Sequence, residues 1–273
     1  MADELSPSDV DDRKRGETTQ GPKDTETEHD ARVDDHEMPF LDHLLELRQR
    51  LLRSVVAVAV LFVPSFAFRD EIYHFVSAPL TTFLPGGNLT AIDVASPFVM
   101  PLKLAAFTAF IGAMPYLLHQ IWGFVAPGLY LREKKFALPV LVSSILLFYA
   151  GMAFAYFVMF PVAFAFFAHV APEGVTMMTD INRYLNFVLK MFFALGVAFE
   201  IPVATFLLVR SGLATADGIA RKRPYVLVGC FVVGMLLTPP DPFTQVLLAI
   251  PVWLLFEIGI LVSRLGGRAK DEG

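Results

Sequence analysis

The chain has 273 residues, of which 55% are hydrophobic and only 18% are charged. An ordinary soluble domain carries about a quarter charged residues, so this composition excludes that class, as well as collagen-like and coiled-coil chains. The single cysteine, Cys230, cannot form an internal disulfide or a thiolate metal cluster. The net charge of -5 gives no indication of a nucleic-acid partner.

The charge is unevenly distributed along the chain. Residues 1–38 contain 13 of the 27 acidic residues but only five of the 22 basic ones, and almost no large apolar side chain. Such a segment cannot bury enough surface to offset the entropy of ordering it. The sequence therefore predicts an acidic, disordered cytoplasmic tail over residues 1–38, most simply a solvated spacer. A membrane domain over residues 39–265 and a short cytoplasmic tail over residues 266–273 follow it.

Six apolar segments are candidates for helices that cross a membrane, which need about 20 apolar residues each. In chain order they are residues 51–68, 98–125, 136–160, 185–208, 225–237 and 243–262. Ser96-Pro97 and Asp241-Pro242 are typical helix starts, and Thr179 or Asp180 can cap the fourth segment. The fifth segment is short and ends at Pro239-Pro240, so it is predicted to form a short hairpin with the sixth that thins the bilayer locally.

Basic residues favour one orientation of these segments. Thirteen Lys and Arg residues flank the first segment, lie in the second-to-third and fourth-to-fifth loops, or follow the sixth segment. The opposite loops contain only Arg69 and Arg183. Because basic residues concentrate on the cytoplasmic side, both termini are predicted to be cytoplasmic. The predicted fold is an all-α integral membrane protein with six transmembrane helices.

Glu200 is the sharpest polar signal, because it lies within the apolar run of residues 192–203. A carboxyl group there costs about 2.5 kcal/mol or more, so it should face protein or a water-filled cavity. Pro202 cannot bond the carbonyl of Ala198 and permits a kink, and Gly196 shares the face of Glu200. A purely structural buried acid and a group that responds to protons both remain open.

Other polar residues lie at the ends of the apolar segments. His43, Glu46 and Arg50 share one face of an amphipathic helix, where Glu46 and Arg50 could form a simple surface pair. Glu133 lies in a basic loop and is either a solvated charge or, with Glu46, an acceptor for a cationic peptide. Polar residues at the hairpin could bond a neighbouring helix, although Asp241 could be only an N-cap; they are Thr238, Asp241 and Gln245.

The chain contains no recognisable catalytic motif. No P-loop, HExxH or GxSxG sequence occurs, and the six histidines are dispersed. We therefore expect no enzyme activity, no cofactor and no metal site.

Several segments together resemble one family. His43-Leu44-Leu45-Glu46-Leu47-Arg48 matches the HLxELR motif of the TatC family, the polytopic core subunit of the twin-arginine (Tat) protein translocase. Four further segments resemble family elements in the family order: residues 93–98, 120–130, 199–202, and 221–225 through 237–241. The resemblance covers about residues 39–265, whereas the acidic tail has no counterpart in it.

The resemblance implies a receptor that binds the twin-arginine signal peptides of folded proteins. With TatA- and TatB-type single-span subunits, it would mediate their export across the bacterial inner membrane, driven by the proton gradient. The implied fold is a concave, glove-like shape with short fifth and sixth helices, present in multiple copies per receptor complex. Implied site residues are Glu46, Glu133, His43 and Arg48 for the signal peptide, Glu200 within the membrane, Thr238, Gln245, Met235 and Leu236 for partner docking, and Pro79 and Asp241 in structural or functional loops.

Two rival classes remain at this point. A secondary transporter could use Glu200 as its coupling acid, although no inverted repeat and no second intramembrane acid facing it are evident. An intramembrane enzyme would need a nucleophile and base or a set of metal ligands, which the sequence does not provide.

Overall fold

The computed structural model describes residues 24–82, 89–125, 134–170, 172, 178–238 and 241–271. Side chains are described within residues 44–82, 89–124, 138–170, 172, 178–238 and 241–265. The chain divides into two compact units, Met1–Gln49 and Arg50–Gly273. The described residues are helical apart from connecting segments and one isolated bridge between Thr90 and Asp180, which agrees with the predicted all-α class.

Eleven α-helices and one π-helical turn make up the described residues. The helices are α1 (Asp24–Ala67), α2 (Arg69–Thr81), α3 (Ser96–Gly112), α4 (Met114–Val125), α5 (Lys134–Phe154), α6 (Phe160–Val170), α7 (Ile181–Ala198), α8 (Ile201–Arg210), α9 (Ala216–Ala220), α10 (Arg223–Leu237) and α11 (Pro242–Asp271). The π-helical turn, Ala155–Met159, joins α5 to α6.

Four stretches of helix are long and apolar enough to cross a membrane individually. They are Leu44–Ala67, Leu138–Val170, Ile181–Arg210 and Pro242–Leu265. Helices α3 and α4 together form a fifth candidate that is bent by 55°. Helix α10 is short, as predicted for the fifth segment, whereas the expected short sixth helix is wrong because Pro242–Leu265 has 24 residues. All six predicted segments are therefore helical, while the count of six spans and the side on which each terminus lies stay predictions.

The second predicted segment is not one straight helix. It breaks after Gly112, and α4 restarts with Pro115 in its first turn. A proline there cannot donate to the carbonyl of residue 111, which accounts for the break. The predicted cap at Ser96 is also wrong by one residue, because Ser96 is already helical and its Oγ instead accepts a bond from Asn182 Nδ2 at 3.4 Å.

The third predicted segment is longer than expected, because the helix continues through the π-helical turn to Val170. Pro161 would deprive the carbonyl of Phe157 of its usual donor, and a π-helical turn accommodates such an interruption within a continuing helix. The Tyr156 hydroxyl in this turn donates to the carbonyl of Phe75 at 3.0 Å. The turn therefore joins the long helix to α2.

The fourth predicted segment is interrupted where the sequence indicates a kink. Helix α7 ends at Ala198, Phe199 and Glu200 form a turn, and α8 begins at Ile201 with Pro202 near its start. At the other end of α7, the Asp180 carboxylate accepts a bond from the backbone N–H of Arg183 at 3.4 Å. The cap at Asp180 is confirmed, and the helix is interrupted at the position where the kink is predicted.

The N-terminal region differs from its predicted description. Helix α1 begins at Asp24 and so includes residues 24–38, which composition assigns to the tail. The stretch has little apolar surface to bury, and its Asp, Thr and His residues are weak helix formers, so local propensity does not account for this helix. Residues 1–23 lie outside the described part of the chain, and the domain boundary at residue 38 stays a prediction.

The main core lies where α3, α6, α7 and the π-helical turn meet. Its fully buried side chains are Met100, Leu104, Met159, Phe160, Leu185, Val188, Met191 and Leu195. The buried Tyr184 hydroxyl donates to the Val76 carbonyl at 2.7 Å and ties α2 to this core. Helix α7 is thus held from several sides, which fixes the start of the interrupted turn that follows it.

Candidate functional site

Two glycines allow α5 and α7 to approach closely just before the interrupted turn. A β-carbon at Gly151 would lie 2.5 Å from the backbone oxygen of Leu195. A β-carbon at Gly196 would lie 2.7 Å from the ring of Phe148. Because real β-carbons do not approach other atoms so closely, only glycine permits this spacing, as at close helix contacts in membranes generally.

The close approach of α5 and α7 brings Glu200 against a serine. The Ser144 hydroxyl of α5 donates to Glu200 Oε2. The indole Nε1 of Trp122 in α4 in turn donates to Ser144 Oγ at 2.9 Å. Ser144 is fully buried, whereas Trp122 and Glu200 are half-buried. Three helical segments therefore converge on one carboxyl group.

The second oxygen of this carboxyl group is in a different situation. Glu200 Oε1 is buried and has no hydrogen-bond partner among the described residues. A buried polar atom without a partner costs free energy, about 1–3 kcal/mol for a typical group, and is uncommon in native structures. A purely structural role for Glu200 does not explain why this oxygen has no partner in the described chain.

A second polar contact joins α1 to α4. The Arg50 guanidinium donates to Gln120 Oε1 at 3.2 Å and lies 3.5 Å from the Gln120 carbonyl oxygen. Gly123 makes room for it, because a β-carbon there would lie 2.6 Å from Arg50 Nη1. Gln120 and Trp122 are two residues apart, so α4 carries both this contact and the donor chain to Glu200.

Three of the four predicted signal-peptide residues lie in α1. Glu46 and Arg48 lie in α1 with exposed side chains. His43 is in the same helix, but its side chain lies outside the described ones. Glu133 also lies outside the described residues. The roles of these four residues stay predictions.

The polar side chains of the hairpin formed by α10 and α11 make hydrogen bonds within the hairpin. Asp241 Oδ1 accepts a bond from the backbone N–H of Thr244 at 2.7 Å, and its Oδ2 accepts from the Thr244 hydroxyl, so Asp241 is an N-cap of α11. The Thr238 hydroxyl donates to the Gly234 carbonyl at 2.9 Å. Gln245 Nε2 donates across the hairpin to the Phe231 carbonyl at 2.8 Å.

The remaining predicted site residues differ in exposure. Met235 and Leu236 are apolar and exposed, by 57% and 71%, on α10. Pro79 lies inside α2 rather than in a loop, one residue before the buried Leu80. Its assignment to a loop is therefore corrected: Pro79 has no N–H for the carbonyl of Phe75, and that carbonyl instead accepts a bond from the Tyr156 hydroxyl at 3.0 Å.

Sequence reasoning missed the two residues that connect to Glu200 and an ion pair between α10 and α11. Ser144 and Trp122 lie 56 and 78 residues from Glu200, and the serine bonds directly to the acid. Arg223 forms a bidentate pair with Glu257, through Nε–Oε1 at 2.6 Å and Nη2–Oε2 at 2.8 Å. This pair joins α10 to α11. No group of metal-binding side chains occurs within the described residues.

These helices and the polar site between them define the described chain as a multi-pass α-helical membrane protein. The family described as "Sec-independent protein translocase protein (TatC)" matches residues 42–251. The TatC protein of Azotobacter chroococcum is 61% identical over 232 residues, which cover 84% of this chain and 91% of that protein. The TatC protein of Escherichia coli K12 is 54% identical over 238 residues, which cover 86% and 92%.

A solved structure agrees with these relatives. The crystal structure described as "Twin Arginine Translocase Receptor- TatC" matches with a TM-score of 0.75 at 36% identity, covering 82% of this chain and 98% of that one. The chain belongs to the TatC family of Sec-independent protein translocases. It is accordingly a component of protein transport rather than an enzyme.

Proposed function

We propose that this chain is the receptor subunit that binds twin-arginine signal peptides of folded proteins. With TatA- and TatB-type single-span subunits, it mediates their export, driven by the proton gradient. The family match over residues 42–251, together with similarity to a solved twin-arginine translocase receptor, carries this proposal. The excess of Lys and Arg in alternate loops supports a location in the bacterial inner membrane with both termini cytoplasmic.

The proposed peptide site begins with Glu46. Glu46 is an exposed residue on α1, four residues before Arg50. A guanidinium group is permanently charged and presents two parallel N–H donors to a carboxylate, whereas an ammonium group does not. Glu46 and Glu133 would therefore each receive one signal-peptide arginine, with His43 and Arg48 beside Glu46 on the same helix.

The proposed docking surface for single-span partners lies on α10 and α11. Met235 and Leu236 present exposed apolar side chains, and the partly buried Gln245 lies across the hairpin. Gln245 uses its amide nitrogen inside the hairpin, since only an N–H can meet the Phe231 carbonyl. Its amide oxygen is the atom that a polar group in a partner span would meet, with the buried Thr238 supporting the turn. Several copies of the chain would be present in one receptor complex.

Crosslinking of a twin-arginine peptide tests the receptor proposal. We expect Glu46→Ala and Glu133→Ala each to weaken crosslinking about tenfold, because a charge-assisted pair is lost, and the double variant to abolish it. Glu71→Ala is the matched control, since Glu71 is an exposed acid in α2. Normal crosslinking in the double variant would show that neither Glu46 nor Glu133 belongs to the peptide site. Uptake of a small solute by the purified chain alone would instead support the transporter class.

A further inference from the structure

The hydrogen bonds around Glu200 run in one direction. An indole N–H can only donate, so Ser144 Oγ must accept from Trp122. The serine proton is then free to point at Glu200 Oε2, which accepts it. With Glu200 ionised, its carboxylate can only accept, so the order of donors is Trp122 to Ser144 to Glu200.

The same geometry restricts the carboxyl group. Ser144 is 0% exposed, so no water competes for its hydroxyl. Gly151 and Gly196 hold α5 against α7 at a distance that a β-carbon would not allow. With Oε2 occupied in this way, Oε1 is the oxygen left for a proton or a further donor, and it is the atom that has no partner in the described chain.

We propose that Trp122 and Ser144 are positioning residues for Glu200. Trp122 orients the Ser144 hydroxyl, and the hydroxyl holds Oε2, so that the carboxyl group keeps one orientation in the turn between α7 and α8. The effect of these residues on export rests on the proposed function, whereas their effect on the carboxyl group does not. The two effects are therefore measured separately.

Infrared spectroscopy measures the carboxyl group directly. The Glu200 band is isolated by subtracting the spectrum of Glu200→Gln, with each variant in membranes beside its single-span partners. We expect Ser144→Ala to shift this band, and Trp122→Phe to shift it less, because the hydroxyl remains but is no longer oriented. Ser143→Ala is the matched control, since the exposed Ser143 bonds the Pro139 carbonyl at 2.8 Å on its own helix. An unshifted band in Ser144→Ala overturns the proposal.

Export of a twin-arginine reporter gives the second measurement. We expect Ser144→Ala to lower the export rate about tenfold, because a buried polar group loses its partner. In the Glu200→Gln background the same change should cause no further loss, since residues that act through one another are not additive. Fully additive losses would show that Ser144 acts elsewhere and would overturn the positioning role.

Two further variants keep the test decisive. If Ser144→Ala does not accumulate in membranes, Ser144→Cys keeps the volume but donates weakly, and it should shift the band in the same direction. If Glu200→Gln exports normally, the proposed role of Glu200 in export fails. The band shifts then still decide whether Trp122 and Ser144 position the carboxyl group.

Discussion

The turn at Glu200 and the hairpin of α10 and α11 both place polar side chains among apolar helices, but they satisfy them differently. In the hairpin, Asp241 bonds both the backbone and the hydroxyl of Thr244, and Gln245 bonds the Phe231 carbonyl. At the turn, Glu200 has one oxygen bonded to Ser144 and one buried oxygen without a partner in the described chain. We call the hairpin network closed, because each of these side chains is bonded within the hairpin. We call the network at the turn open, because one buried carboxyl oxygen has no partner in the described chain.

The difference between the hairpin and the turn indicates two reasons why a membrane protein contains a polar group among apolar helices. A closed network offsets its own desolvation and can stabilise a short hairpin. An open one keeps a cost that the fold does not recover, and intramembrane carboxyl groups that persist in this way are by default functional candidates. The comparison therefore assigns a stabilising role to the Asp241–Thr244 contact of the hairpin and a functional role to the carboxyl group at the turn.

The largest expected effect comes from separating the helices at the turn. Gly151→Ala places a β-carbon 2.5 Å from a backbone oxygen of Leu195, which cannot rotate away. We expect α5 to move from α7 and the free energy of unfolding to fall by about 2–3 kcal/mol, as in other overpacked contacts. Denaturation by sodium dodecyl sulfate measures the change, and the Glu200 infrared band should shift with it.

A glycine in the hairpin provides the matched control. A β-carbon at Gly229 in α10 would have no described atom within 4 Å. Gly229→Ala should therefore change the free energy of unfolding by at most about 1 kcal/mol, in the stabilising direction, because alanine favours helix. Equal losses in Gly151→Ala and Gly229→Ala would contradict the close contact of α5 and α7.

A smaller effect is expected in the closed network. Gln245→Met keeps the volume of the side chain and removes the bond to the Phe231 carbonyl. The free energy of unfolding should fall by about 1 kcal/mol, the usual value for one such bond. Thr238→Val should cost less, because the Thr238 backbone N–H already bonds the same Gly234 carbonyl as its hydroxyl does. A larger loss of the free energy of unfolding in Thr238→Val than in Gln245→Met would show that the Gln245 bond is not the more important of the two.

The sequence predicts those features that depend on local chemistry. A glutamate and a proline within one apolar run indicate the turn at Glu200, and Asp180 and Asp241 are recognisable caps. The bend at Pro115 could also have been found, since proline breaks the helical bonding wherever it occurs. The family resemblance supplies the predicted roles of Glu46 and Glu133.

The partners of Glu200 depend on tertiary packing, and no local pattern reveals them. A serine in a helix commonly bonds the carbonyl four residues earlier, as Ser143 does with Pro139. Its neighbour Ser144 instead bonds residues 22 and 56 positions away, because it lies on the same face of α5 as Gly151, which packs against α7. Two adjacent serines with different roles cannot be distinguished before the helices are packed.

The smallest change in stability is expected for Gly123→Ala. This variant tests whether the open network at Glu200 depends on α1. A β-carbon at Gly123 would displace the flexible end of Arg50 rather than backbone, so the free energy of unfolding should fall by less than about 1 kcal/mol. Loss of the Arg50–Gln120 bond should nevertheless weaken crosslinking of a twin-arginine peptide at Glu46, one turn earlier in the helix. Gly112→Ala is the control, because its β-carbon would meet Leu61 of α1 at an ordinary 3.6 Å. The Glu200 band should stay unshifted in Gly123→Ala, since Trp122 and Ser144 keep their bond, and a shift would show that α1 and Glu200 are coupled through α4.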